Sequence, residues 1–90
     1  MQILFIADPL ASFNLKKDST YAMLREAGRR GWQIHSCDTP DLVWQSGSAV
    51  RARCAAIELL PALEGGPWFA VTKTSTRALH EFDAVLMRKD

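Results

Sequence analysis

Two cysteines in 90 residues are too few for a disulfide framework, and no C-x-x-C occurs. Cys37 and Cys54 read as reduced, partly buried thiols of a cytoplasmic protein, with a single bridge between them as the alternative. Long hydrophobic runs are also missing. The apolar stretch at residues 3–7 holds about five residues, against the ~20 that a spanning helix needs. It has no basic leader and meets Asp8-Pro9 at once, so neither a signal peptide nor a membrane anchor is expected. Charge of one sign is lacking too: eleven basic residues face ten acidic ones. Nucleic-acid binding draws on a basic excess, so no nucleic-acid partner is expected, and no membrane partner either. The turn after Asp8 contains no glycine, and neither G-x-G-x-x-G nor G-x-x-x-x-G-K-[ST] is present. A dinucleotide pyrophosphate would find no close backbone approach there. His35 and His80 are not spaced with cysteines or carboxylates as ligands; both read as surface or strand-edge residues, and no metal site is expected. Ser12, Ser19 and Ser75 lack a histidine and acid partner for nucleophilic catalysis.

What is present is a core-forming chain. Hydrophobic residues make up 48% of it, enough for one small domain spanning residues 1–90. Residues 3–7 read as a strand buried on both faces, the kind found inside α/β sheets, and Pro9 stops it. Residues 10–17 form a loop longer than most strand-to-helix connections. Asp18 caps a helix that runs to about Arg30, with Ser19 and Thr20 as alternative caps. Tyr21, Leu24 and Gly28 share one stripe of it, flanked by Met23 and Ala27. Glu26 and Arg30 are spaced to pair, and Gly31 is the left-handed stop. Gly28 costs roughly 1 kcal/mol against alanine in a helix, a cost that close packing on a sheet would explain.

Residues 32–37 alternate as a second strand, completing a right-handed βαβ unit. Residues 42–44 are a short apolar run before the turn Ser46-Gly47-Ser48. Residues 50–60 fit two patterns: alternation suggests a strand, while alanine and leucine content leans to helix. Pro61 and Gly65-Gly66-Pro67 break that element. Residues 68–74 resemble a strand, residues 76–82 a helical turn or a loop, and residues 84–87 another buried strand. The chain stops at the charged tip Arg88-Lys89-Asp90, which reads as a truncation point.

Two segments carry candidate chemistry. One runs from Asp8-Pro9 through Asn14 and Lys16-Lys17-Asp18-Ser19-Thr20, joining a strand tip, a polar loop and a helix start. Backbone N–H groups at a helix start, with lysines nearby, suit an anion. The other is Met87-Arg88-Lys89-Asp90, where Arg88 can meet a carboxylate through two parallel hydrogen bonds. Each alone reads as a solvated charged segment. In a parallel sheet both lie at carboxyl ends of strands and face one cleft.

At these residues the chain resembles the N-terminal domain of prokaryotic glutathione synthetase. The matching motifs are Asp8-Pro9, Asn14, Lys16-Lys17-Asp18-Ser19, Ala22-Met23-Leu24, Glu26-Ala27, Arg29-Arg30-Gly31-Trp32, Asp41-Leu42 and residues 86–90, Leu-Met-Arg-Lys-Asp. The likeness is dense over residues 1–44 and 83–90 and thin between 45 and 82. It implies an α/β fold: a Rossmann-like pre-ATP-grasp domain, with a largely parallel sheet, an inserted β-hairpin and flanking helices. It also turns residues 50–60 toward strand. The activity implied is ATP-dependent ligation of γ-glutamylcysteine to glycine through an acyl phosphate. ATP and Mg2+ are the cofactors of the intact enzyme, and none is expected on this domain, which alone is inactive. Arg88 would then hold a substrate carboxylate, with Asn14 and Ser19 as hydrogen-bond partners. Lys17 would join them in binding substrate or, with Asp18, fix the loop. A cytoplasmic homo-oligomer is expected. Another ATP-grasp peptide ligase is the alternative, as is a standalone, non-catalytic Rossmann-like binding module.

Overall fold

The computed structural model describes residues 1–61 and 66–89. The expected break at Gly65 and the motif's final Asp90 fall outside them. Strand β1 (Gln2–Ala7) is followed by a short 3-10 turn (Leu10–Ser12), helix α1 (Ser19–Arg29) and strand β2 (Gln33–Cys37). A second 3-10 turn (Thr39–Asp41) leads into β3 (Leu42–Val43), and β4 (Arg51–Leu59) and β5 (Phe69–Ala78) come next. A third turn (Leu79–Glu81) precedes β6 (Ala84–Arg88).

All these strands join one sheet. β2 and β6 lie parallel to β1 on its two sides. β4 is antiparallel to β2, β3 and β5, with β5 paired along its whole length. The sheet is therefore mixed, not largely parallel as the sequence suggested. The cause is connection length. A parallel return needs a crossover of a dozen or more residues, usually helical. Helix α1 supplies one between β1 and β2, whereas only short stretches of chain separate β3, β4 and β5, which pair antiparallel. Antiparallel pairs do lie between the βαβ unit and the last strand: short β3 with β4 about the turn at Ser46-Gly47, and β4 with β5. Residues 51–59 are strand, against the helix-leaning propensity of 50–60, because β4 is paired on both edges. β5 runs on to Ala78, so only Leu79–Glu81 remains of the expected turn at 76–82.

Flanking helices were expected in the plural; among the described residues α1 is the only α-helix. It covers one face of the sheet. Ile3 and Phe5 of β1 point to that face and pack with Tyr21, Leu24, Ala27, Ile34, Ile57 and Trp68. Leu4 and Ile6 point the other way, as strand alternation requires, and pack with Cys37, Ala52, Cys54 and Phe82. Leu42 and Leu79, from the strand and turn beside this second face, close over it in place of a helix. Leu4, Phe5 and Leu24 are fully buried. Each such side chain contributes roughly 1.5–3 kcal/mol.

Helix α1 begins where Asp18 caps it, its Oδ1 accepting from the Thr20 N–H at 2.9 Å. Glu26 pairs with Arg30 at 2.7 Å and also with Arg29 at 2.6 Å. Gly31 ends the helix at φ +75°, a conformation that suits glycine. Gly28 lies against β4: a Cβ there would sit 2.9 Å from Leu59 Cδ1.

β6 is an edge strand, paired to β1 alone among the described residues. Its amino end is clamped by Asp83. The Asp83 N–H donates to the Gln2 carbonyl at 2.8 Å, and the Gln2 N–H donates to Asp83 Oδ2 at 2.6 Å. Val85 and Met87 of β6 stay exposed on the face away from α1. No described helix is long and apolar enough to cross a membrane.

Candidate functional site

Parallel pairing puts the carboxyl ends of β1, β2 and β6 on one rim, and the residues that follow them meet there. The β1–β6 register matches Ile3 with Ala84, Phe5 with Leu86 and Ala7 with Arg88. Partners in register share a face, so Arg88 follows Ala84 and Leu86 onto the side covered by α1. Its guanidinium reaches the start of that helix. Arg88 Nη2 donates to Ser19 Oγ at 2.8 Å, and Arg88 Nε donates to Thr20 Oγ1 at 3.3 Å. A guanidinium has five N–H donors; these two bonds engage its Nε and Nη2 edge, and Arg88 lines the cleft at the rim.

The loop from β1 to α1 forms the opposite wall. Pro9 ends the strand, and the turn Leu10–Ser12 is closed by the Ser12 N–H and hydroxyl, both donating to the Pro9 carbonyl. The Asn14 side chain accepts from the Lys16 N–H at 3.1 Å. The Asn14 backbone carbonyl accepts from the N–H groups of Lys17 and Asp18. Between the two walls lies a polar cleft of about 290 Å³, lined by Asp8, Phe13, residues 17–20 and residues 87–89. Three cations (Lys17, Arg88, Lys89) face two carboxylates there (Asp8, Asp18).

Of the four residues singled out from the sequence, Lys17, Ser19 and Arg88 line this cleft together. Asn14 does not. It bonds the backbone of its own loop and sets where Lys17 stands. Ser19 is turned toward Arg88, so its hydroxyl orients the guanidinium. Thr20, buried beside it, does the same; sequence reasoning placed it in the first candidate segment and as an alternative cap, without a role at the site.

Lys89 lay within the second candidate segment but was given no role of its own. Its Nζ donates to Asp8 Oδ1 at 2.5 Å and to Asp38 Oδ1 at 2.8 Å. These are the first residues after β6, β1 and β2, so one ammonium ties three neighbouring strand tips. The Lys89 ammonium, with the Thr39 N–H, holds the Asp38 carboxyl below its usual range. Asp38 and Asp8 in turn push the Lys89 pKa up. A signal was available in the sequence: each of the three directly follows an apolar or alternating strand.

The histidines divide. His80 is exposed, as expected. His35 is not a surface residue: it is only 8% exposed, on the face away from α1. The β2 alternation that carries Cys37 into the core carries His35 as well. Its ring meets Phe82 edge-on at 5.1 Å, and Nε2 lies 3.4 Å from Arg77 Nη1. Burial first, then the nearby Arg77 charge, hold its pKa below the ordinary value. Cys37 and Cys54 are both free and buried. The described residues hold no group of three or more His, Cys, Asp or Glu arranged for a metal ion.

The family profile described as prokaryotic glutathione synthetase, N-terminal domain, matches residues 1–90. Glutathione synthetase of Neisseria meningitidis serogroup A is 45% identical over 92 residues, covering all of this chain and 29% of that protein. The Vibrio vulnificus enzyme is 45% identical over 85 residues, covering 94% of this chain and 26% of its own length. The Ralstonia nicotianae enzyme is 42% identical over 90 residues. The chain thus spans between a quarter and a third of the length of the curated relatives it matches. With a βαβ unit, a returning parallel strand and a basic rim in place, and with the family profile matched from end to end, this chain belongs to the prokaryotic glutathione synthetase N-terminal domain family.

Proposed function

We propose that residues 1–90 are the Rossmann-like, pre-ATP-grasp domain of an ATP-dependent ligase that joins γ-glutamylcysteine to glycine. In this reading the domain is one wall of the peptide-substrate cleft. The observation that carries it is the Arg88 guanidinium, oriented by Ser19 and Thr20 at the mouth of a cleft whose facing wall carries Lys17.

The chemistry follows from the side chains. A peptide carboxylate entering the cleft meets a planar fork able to take both oxygens at once, which fixes its orientation as well as its position. Lys17 adds a second positive charge, and the N-terminus of α1 favours an anion in the same place. Asn14 contributes by shaping the loop that presents Lys17. Anchoring one carboxylate leaves the other end of the peptide pointing toward the reacting partners, and such positioning supplies a large part of a two-substrate reaction's barrier reduction.

In this reading ATP would activate the reacting carboxylate as an acyl phosphate in the intact enzyme, and Mg2+ would offset the phosphate charge. The described residues hold no cluster of metal ligands; in this reading their part is to bind and orient the peptide. The glycine amine then displaces phosphate. The intact enzyme is read as a cytoplasmic homo-oligomer, and the exposed Val85 and Met87 are apolar surface available for packing.

The test is Arg88→Ala in the full-length ligase that carries this domain. The KM for γ-glutamylcysteine should rise about tenfold or more, as expected when a charge-assisted pair is lost. Unchanged kcat and KM would remove Arg88 from the site.

A further inference from the structure

We propose that Lys89 is a positioning residue for peptide binding, holding the tip of β6 so that Arg88 stays aimed into the cleft. The inference rests on the reading of Arg88 given above and adds to it the element that keeps the arginine in place.

Arg88 is in a precarious position. It is the last residue of an edge strand, bonded to β1 on one side alone among the described residues. Strand ends of this kind fray. A fork-shaped group loses its use when its base moves by an ångström, because both hydrogen bonds to a carboxylate depend on the angle of approach. The next residue prevents this. The Lys89 ammonium bonds Asp8 at 2.5 Å and Asp38 at 2.8 Å, reaching past β1 to the tip of β2. A single pair would tie β6 to its neighbour; the second ties it to the strand that α1 connects to β1.

Two other roles fit the geometry less well. Direct binding of substrate by Lys89 would rest on a single remaining N–H of an ammonium whose charge two carboxylates within hydrogen-bond distance already offset. A purely stabilising role is weak because the three side chains keep between about a fifth and two-fifths of their surface in solvent. Ion pairs that exposed contribute little to folding. What the arrangement does supply is a fixed angle at the strand tip. An arginine at position 89 would keep the charge and much of this reach, whereas a methionine would keep the length and lose both bonds.

The experiment compares Lys89→Met, Lys89→Arg, Asp38→Asn and Arg88→Ala in the full-length ligase, measuring kcat and the KM of each substrate. Lys89→Met should raise the KM for γ-glutamylcysteine about tenfold, an effect expected when a binding group is misplaced rather than removed. The KM values for glycine and ATP should hold, and Lys89→Arg should restore most of the loss. Asp38→Asn, which removes one acceptor and leaves the apolar packing untouched, should move the same constant in the same direction by less. A peptide KM unchanged in both Lys89→Met and Asp38→Asn, while Arg88→Ala raises it, overturns the role of Lys89 and leaves the site intact. A loss spread evenly over kcat and all three KM values also overturns it, because that is the signature of general destabilisation. If Arg88→Ala itself changes nothing, the reading of the site fails and this inference with it.

Discussion

Replacing Gly28 by alanine sets two effects of similar size against each other. Alanine is favoured over glycine in a helix interior by about 1 kcal/mol, because the unfolded glycine has more freedom to lose. The new methyl group would stand 2.9 Å from Leu59 Cδ1, too close by half an ångström or more, while Leu59 Cγ at 3.7 Å is at ordinary contact. The offending atom is the far end of a half-buried, rotatable side chain, so Leu59 can turn away. A rotamer displaced by roughly 30° costs about 0.5–1.5 kcal/mol. The two effects nearly cancel, and Gly28→Ala alone should change stability by less than about 0.5 kcal/mol. The contact becomes visible in the background of Leu59→Ala. With the clash gone, the same change should stabilise by about 1 kcal/mol, giving a coupling of about that size in the double-mutant cycle. Urea unfolding of the 90-residue chain, followed by far-ultraviolet circular dichroism at constant slope, measures all four corners. A gain of 1 kcal/mol in both backgrounds would refute the close approach of α1 to β4. A loss beyond about 2 kcal/mol in both would show that backbone or another side chain, not Leu59, closes the gap.

Two predictions concern titration. The His35 pKa is depressed, so the native state resists the proton that the unfolded chain accepts below about pH 6.5. Stability is complete above that value and falls as the pH drops through it toward the lower native pKa. The urea midpoint should therefore decline from pH 7.5 to 5.5 more steeply in the natural chain than in His35→Gln; coincident slopes would reject the burial of an uncharged ring beside Arg77. The Cys37 thiol is pushed up to about 11, by burial first and then by the nearby carboxyl of Asp41. Native chain should react with a thiol reagent at pH 8 far more slowly than urea-unfolded chain, and its stability should fall above about pH 9, where only the unfolded thiol ionises. Equal reaction rates would contradict the packing of β2 against the second core face.

Local signals were enough wherever one element decides its own form. Asp18 as cap, Gly31 as stop and the apolar run of β1 are all in the sequence and all in the structure. What escaped was decided by partners distant in the chain. Residues 50–60 have helix-favouring alanines, yet β4 is held as strand by pairing with β2, β3 and β5, and pairing outweighs a few tenths of a kcal/mol per residue. His35 looked peripheral because a polar residue usually is; its inward face is fixed by the same alternation that buries Cys37. Asn14 was grouped with the cleft because of its position in the loop, but short polar side chains often bond their own backbone. Lys89 was passed over beside Arg88, although its two carboxylates stand 81 and 51 positions earlier in the chain. No local pattern joins such residues.

The clamp at Asp83 has a bearing on chemistry carried out at the other end of its strand. Side chains along β6 alternate between opposite sides of the sheet, so sliding this strand by one position against Gln2–Ala7 would exchange Arg88 for Met87 or Lys89 over the helix start. A thioether there has no donors, and the fork would point away from α1. The reciprocal bonds between Asp83 and Gln2 set the reading frame of the edge strand, so an aspartate outside the cleft decides which side chain occupies it.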